Sequence, residues 1–290
     1  MSKKIIWIAS YPKSGNTLMR AILVSLFFTK DGIFSFEILK KILLFENAQR
    51  LNFIKKENIE DFKKLYDLKI LSKYWLKMQS KKNLGLQNGE FCFLKTHSAQ
   101  LMYFDNYFTD TTNTLGFIYL IRDPRDVAIS YTHHSKNSLD KTIVHMTNKT
   151  ASIDYDQITK ENKKKPNALL SRWDIHVKSW SLFKVPNLIL RYEDIIKKKK
   201  EVIYKIINFF EKNYNFKFYN IDHKIENIIS STNFEILKKN EEKKGFDEAI
   251  KNQSFFKVGK SQQWKNQLNQ TQKNLIENEF KEEMVKFKYL

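Results

Sequence analysis

Residues 4–17 read KIIWIASYPKSGNT, and the fold follows from how this stretch divides. KIIWIAS is a short apolar run rich in β-branched and aromatic side chains, the pattern of a buried strand. YPKSGNT, residues 11–17, is a turn that passes directly into apolar spacing of three and four. Leu18, Ile22 and Leu26 stack beside Met19, Leu23 and Phe27, which predicts a helix over 16–28. N–H groups at such a helix start are unpaired and carry partial positive charge, so the turn through Gly15 and Asn16 suits a phosphate. Lys13 adds a point charge, and Ser14 and Thr17 add hydroxyl donors. An ordinary N-cap beside a surface lysine accounts for the turn equally well. The nucleoside-triphosphate loop reads G-x-x-x-x-G-K-[ST], whereas here lysine precedes a single glycine. Which phosphate the turn holds has to come from the rest of the chain.

Three more strands are predicted outward from this one, at 90–95, 115–121 and 187–191, alongside the first at 4–9. Longer stretches with helical spacing separate them, at 124–135, 166–182 and 194–210, with further helices within 36–78 and one over 271–287. Asp123 as N-cap and Pro124 at the first helical position mark the start of the 124–135 helix. Nearly continuous apolar strands alternating with helices predict an α/β fold, a parallel central sheet flanked by helices on both faces. Ligands in such sheets sit beyond the carboxyl ends of the strands. With 4 Pro and 7 Gly there is no linker, and one domain over residues 1–290 is expected. The polar stretch 136–165 is the least patterned and reads as a mobile excursion.

Composition narrows the function classes. Hydrophobic residues make up 42% of the 290 and aromatics 14%, enough for a sizeable core. The 51 Lys and Arg against 32 Asp and Glu give a formal charge of +19, which suits an anionic partner. Most of the excess is lysine in runs such as 163–165 and 197–200, which read as solvated helix ends or loops, so a nucleic-acid partner is not expected. Cys92 is alone and permits no internal disulfide. The apolar run before the first turn is too short for a secretory leader, and no run is long enough to span a membrane. A cytoplasmic protein is the expectation.

Each strand end then contributes chemistry. The second ends in Lys95-Thr96-His97, where a histidine can act as general base and the adjacent lysine can stabilise negative charge. The third ends in IRDPRDVAIS, residues 121–130. Ser130 lies roughly 9 Å along its helix, too far to cap it. It meets Arg122 only across a ligand, and a second phosphate fits there; a surface pair of Arg122 with its own neighbours is the plainer alternative. Near the end, SFFKVGKSQQWKNQL places Lys257 and Gly259 in a loop before Trp264, by itself a basic surface turn.

Taken in order, these pieces resemble the sulfotransferase family, which moves a sulfuryl group from 3′-phosphoadenosine 5′-phosphosulfate (PAPS) to an acceptor and releases 3′,5′-ADP (PAP). YPKSGNT resembles its 5′-phosphosulfate loop, KTH its catalytic Lys-Thr-His, and IRDPRDVAIS its 3′-phosphate motif. WDIHVKSW, RYED, TNFEILK and FFKVGKSQQWKN are similar to later family segments, so the resemblance runs from residue 7 to residue 268. It implies a P-loop-like nucleotide-binding architecture. It also implies that Lys13, Ser14, Gly15, Asn16 and Thr17 hold the 5′ side, Arg122 and Ser130 the 3′-phosphate with Lys257 and Gly259, while Tyr192, Thr232 and Phe234 approach the adenine. His97 would be the base, with Lys13 and Lys95 stabilising charge during an in-line displacement. No metal is implied: the sequence has no clustered ligand set, and His133 and His134 are adjacent on a helix and point apart.

The chain departs from the family at several places. Leu18 stands where the family has an adenine-stacking tryptophan, Val258 replaces one cation of its Arg-Lys-Gly, and Gln262-Gln263-Trp264 replaces Gly-Asp-Trp. Asn269, Gln270 and Asn274 stand where some members carry a dimer motif, so that dimer is not expected. The family's acceptors include small molecules, saccharides and lipids, and segments 36–74, 101–108 and 136–165 are candidate lining. Two alternatives remain, a P-loop small-molecule kinase and a catalytically silent nucleotide-binding protein.

Overall fold

Alternation within the first strand sets up the layers. In a computed structural model, which describes residues 4–135, 137–153, 166–246, 254, 256 and 258–290, strand β1 (Ile5–Ser10) is buried along its whole length. Ile5, Trp7 and Ala9 face one core, and Ile6 and Ile8 face another. Successive side chains of a strand point to opposite faces, so a strand apolar at every position needs cover on both sides.

Five strands form the sheet: β1, β2 (Leu43–Leu44), β3 (Cys92–Thr96), β4 (Thr114–Ile121) and β5 (Asn187–Arg191), in the spatial order β2-β3-β1-β4-β5. All pairings are parallel, with Ala9 opposite Thr96 and Ser10 opposite Leu120. This register brings the ends of β1, β3 and β4 level, the condition for their following residues to meet.

On one face α1 (Asn16–Phe28) packs with α6 (Lys199–Tyr214) and α7 (Ile221–Ser231), through Met19, Ile22, Ile203, Ile206 and Ile225. On the other lie α2 (Pro124–Ser135) and α4 (Trp173–Ser181), whose Val127, Trp173 and Trp180 pack under Trp7 and Phe117. Helix α3 (Leu139–Thr147), α5 (Tyr192–Lys197), α8 (Phe234–Lys244), α9 (Gln270–Glu279) and α10 (Lys281–Lys286) complete the larger helices. Four short helical turns between Asn52 and Met78 lie in the 36–78 region expected to be helical, and a fifth, Lys81–Leu84, lies beyond it. None of the described helices is long and apolar enough to cross a membrane.

Several expectations are corrected. Helix α4 begins only at Trp173, because Ala168–Leu169 pairs antiparallel with Ser152–Ile153 and Ser171 has φ 58°. The helix expected at 194–210 starts earlier and is cut at Lys198, whose φ of −132° and ψ of 44° fall outside the helical region. The one expected at 271–287 breaks at Phe280, φ −116°. The stretch 136–165 is not patternless throughout: α3 buries Ile143 and Met146, and residues 154–165 lie outside the described residues. The edge strand β2, two residues long, carried too little signal to be read.

Candidate active site

The first turn supplies an anion cradle by backbone geometry. Lys13 has φ 66° and Gly15 φ 92°, and Gly15 begins α1 with no side-chain cap, so the first N–H groups of the helix are left for another partner. A Cβ on Gly15 would come within 2.5 Å of the Tyr192 ring, so this position demands glycine on both counts. Asn16 turns its amide inward, donating to the Ile8 carbonyl at 3.2 Å and to Ser10 Oγ at 3.1 Å, which locks the turn to the strand it leaves.

His97 is held by its ring and by its backbone. Its Nδ1 lies 2.8 Å from the Ser10 carbonyl, an acceptor only, so Nδ1 carries the proton and Nε2 keeps its lone pair. Behind it, His176 Nε2–H donates to the His97 carbonyl at 3.0 Å, and Tyr119 OH donates to His176 Nδ1 at 2.8 Å. Glu46 accepts from Thr96 Oγ1 at 2.5 Å and Ser98 Oγ at 3.1 Å, on the other side of the same segment. Burial pushes the His97 pKa well below 6.5, and the Lys95 charge adds to the effect, so the ring is neutral and able to accept a proton. Burial brings His176 down to about 4.

Arg122 joins the pieces. It donates to the Lys13 carbonyl at 2.9 Å and the Lys260 carbonyl at 3.2 Å, with its guanidinium 4.5 Å from the Tyr192 ring centre. The alternative of a surface pair with its neighbours does not occur. Arg125 instead pairs with Asp123 and Glu277, and Asp126 accepts from the backbone N–H groups of Gln262 and Trp264, tying the last loop to α2.

One cavity of about 390 Å³ runs past the Lys13 turn, His97 and Arg122, a size within the roughly 300–1,000 Å³ usual for small-molecule sites. Lys13, Gly15, Asn16, Thr17, Lys95, His97, Arg122, Ser130, Tyr192, Thr232, Phe234 and Gly259 all border it. Ser14 lies just beneath, its Oγ buried with no partner among the described residues, as is Arg122 Nε. Two unsatisfied donors beside an uncapped helix start fit an anionic group. Lys257 lies outside the described residues. His133 and His134 both border the cavity, although neighbours on a helix were expected to diverge; among the described residues no group of three or more His, Cys, Asp or Glu is placed to hold a metal.

Of the expected acceptor lining, Leu44 and Glu46 come from 36–74 and Ile153 from 136–165, whereas none of 101–108 reaches the cavity. That last segment forms a separate hairpin with Met102, Phe104 and Tyr107 exposed. Lys199 also borders the cavity, against the expectation that the lysine run is solvated throughout. Helical spacing gave no sign of it, since only the break at Lys198 brings it there.

The sulfotransferase-domain family model matches residues 3–288. The chain belongs to this family. A dog sulfotransferase, Sulfotransferase 1B1, is 34% identical over 131 residues, 44% of this chain and 39% of the relative. A mouse one, Sulfotransferase 2A6, is 27% identical over 177 residues, 59% of this chain and 56% of the relative. The aligned stretches thus span roughly two-fifths to just over half of those relatives' length. Among solved structures, retinol dehydratase with retinol and PAP is similar at TM-score 0.62 and 19% identity, over 98% of this chain and 82% of the other. The same enzyme with androsterone and PAP gives 0.60 and 20%, over 97% and 80%. Mouse sulfotransferase SULT7A1 with PAP gives 0.58 and 17%, over 98% and 84%. At these identities the structural likeness establishes the fold: a central parallel sheet flanked by helices.

Proposed function

We propose that the protein is a PAPS-dependent sulfotransferase acting on a hydroxyl or amine, with residues 1–290 forming one domain of that kind in the cytoplasm. The observation that carries this reading is His97, with Nδ1–H committed to the Ser10 carbonyl and a neutral ring, in the same cavity as the Lys13 turn and the Arg122–Ser130 pair. When bound, PAPS supplies the sulfuryl group: the bond from sulfur to the acceptor atom forms as the bond from sulfur to the nucleotide phosphate oxygen breaks. His97 Nε2 takes the proton from the acceptor. Lys13 and Lys95 place positive charge where negative charge grows, and the α1 N–H groups with Ser14 and Thr17 hold the 5′ side. Arg122 and Ser130 hold the 3′-phosphate, assisted by the loop through Lys257 and Gly259.

Phe234, Tyr192 and Thr232 border the base end. A Cβ on Gly259, φ 64°, would run into the Phe234 ring, so the last loop lies flat against that aromatic wall. At the other end the wall is Leu44, Tyr131 and Ile153 with Glu46 and His134. This mixture suits a small alcohol, phenol, saccharide or lipid with an apolar body and a polar reacting end, as retinol and androsterone are in the retinol dehydratase complexes.

Incubation with PAPS labelled in the sulfuryl group and a mixed panel of such acceptors tests the reading. Label should pass to at least one acceptor, and calorimetry should detect 3′,5′-ADP but not ATP–Mg²⁺. Binding without transfer would mark a silent nucleotide-binding protein, and preference for ATP–Mg²⁺ would mark a kinase.

A further inference from the structure

The lysine run at 197–200 has one member unlike the others: Lys197, Lys198 and Lys200 are exposed, whereas Lys199 is half-buried at the cavity wall. Helix α5 stops at Lys197 and α6 starts at Lys199, with the non-helical Lys198 between them. Lys199 Nζ donates to the Thr232 carbonyl at 2.8 Å and to Thr232 Oγ1 at 3.2 Å. Leu18, Tyr192, Ile196, Phe234 and Leu237 border the same cavity, with Thr232 and Asn233. Burial alone lowers its pKa, to about 8, with no charged neighbour contributing. Glu46 is the one acidic residue bordering the cavity among those described, and it belongs to the acceptor end.

An ammonium in an apolar slot without a counter-ion is unfavourable, and two acceptors on one threonine offset only part of that. A third N–H remains for a ligand. The slot is walled by aromatic and aliphatic groups, as suits a flat heteroaromatic ring, and the atoms such a ring offers to a cation are the lone pairs of its ring nitrogens. We propose that Lys199 is a nucleobase contact, donating to a ring nitrogen of the adenine while Thr232 holds the ammonium in place. The inference rests on the PAPS reading and deepens it: where the family stacks a tryptophan on the base this chain has Leu18, and a directed charge-assisted hydrogen bond replaces part of the stacking.

Calorimetry on the full chain tests it, with 3′,5′-ADP, its 1-deaza, 3-deaza and 7-deaza analogues and a base-free ribose bisphosphate, on wild type and Lys199→Met. A hydrogen bond to a charged donor corresponds to roughly a ten- to hundredfold change in Kd. The variant should lose that much affinity for 3′,5′-ADP and none for the base-free compound. One deaza analogue should bind wild type as weakly as the variant binds the parent, an arm that needs no variant should Lys199→Met fail to fold. Unchanged 3′,5′-ADP affinity in the variant, or equal binding of all three deaza analogues to wild type, overturns the proposal. An equal loss on the base-free compound also overturns it, since Lys199 would then be a phosphate contact. If wild type binds none of the nucleotides, the sulfotransferase reading itself fails, and this inference with it.

Discussion

The two ends of the cavity are assembled on different principles. At the reacting end, Lys13, Lys95, His97 and Arg122 each lie within a few residues of the carboxyl end of β1, β3 or β4, and the register of the sheet alone brings them together. At the base end only Tyr192, next after β5, is placed by the sheet, whereas Lys199, Thr232, Phe234 and Gly259 sit at helix ends and loops that meet through packing and side-chain hydrogen bonds. A parallel sheet is a stiff ruler, so a short motif at a strand end has one place to be. A helix start has no such ruler, and its position depends on breaks such as those at Lys198 and Thr232. The reacting end should therefore respond to substitution sharply and locally, the base end by degrees.

Removal of His97 is the strongest test of the rigid end. His97→Ala should reduce sulfuryl transfer by roughly 10²- to 10⁴-fold, the range for a positioned general base, while the calorimetric affinity for 3′,5′-ADP stays within a few-fold. Its pKa is depressed by burial, so the acid limb of the rate profile should begin well below pH 6.5. Transfer that survives the substitution would break the contrast, because the stiffest position would then carry no chemistry.

His176 tests whether the rigidity itself matters. In the fold its pKa is about 4, below the 6.5 of an unperturbed histidine, so the unfolded chain binds this proton more readily. The contribution to stability is complete above about pH 6.5 and drains away as pH falls toward 4. It amounts to about 2 kcal/mol lost by pH 5, and the depressed pKa values of His97 and His145 act in the same direction. Urea unfolding at pH 7.5 and 5 should show the decline, and His176→Phe should make it shallower. That variant leaves the Tyr119 hydroxyl and the His97 carbonyl without their partner, so kcat should fall more than KM changes. A slope unaltered by the substitution would show that the histidine titrates elsewhere than this structure implies.

The same contrast explains what was legible in the sequence. The parallel sheet, and the meeting of the Lys13 turn, the Lys-Thr-His segment and Arg122 with Ser130 around one cavity, could be read because apolar runs end where the polar motifs begin. His176 was visible only as part of a helical segment, since a hydrogen bond to a backbone carbonyl 79 positions away has no local signature. Helix ends were misplaced where Ala168–Leu169 pairs as a strand ahead of Ser171, and where a single non-helical residue, Lys198 or Phe280, interrupts good helical spacing. Lys199 was missed for that reason, and the hairpin at Met102 was mistaken for acceptor lining because aromatic content does not say which way a segment faces.

Arg122 straddles the two ends, since it grips the carbonyls of Lys13 and Lys260 as well as bordering the cavity. Arg122→Ala should weaken 3′,5′-ADP by roughly ten- to hundredfold, as expected for charge-assisted hydrogen bonds, and 5′-AMP less. Calorimetry with both nucleotides separates phosphate contact from the bracing of the turn. An equal loss for the two would assign Arg122 wholly to bracing, and the rigid end would then depend on the loop it was contrasted with.

The smallest effect belongs to the last loop, where the family's glycine is Gln262. This residue has φ 63°, in the left-handed region that glycine enters without strain, and its N–H is held by Asp126 at 2.6 Å. A side chain there costs about 1 kcal/mol against glycine, offset in part because glycine leaves the unfolded chain more freedom. Gln262→Gly should therefore raise the unfolding free energy by a few tenths to about 1 kcal/mol, read from urea midpoints at constant slope. It should leave 3′,5′-ADP affinity nearly unchanged, because Asp126 fixes the loop through its backbone rather than through the glutamine side chain. A drop in stability would mean that the loop takes its path from contacts of Gln262 itself, and that this part of the base end is as locally determined as the strand ends.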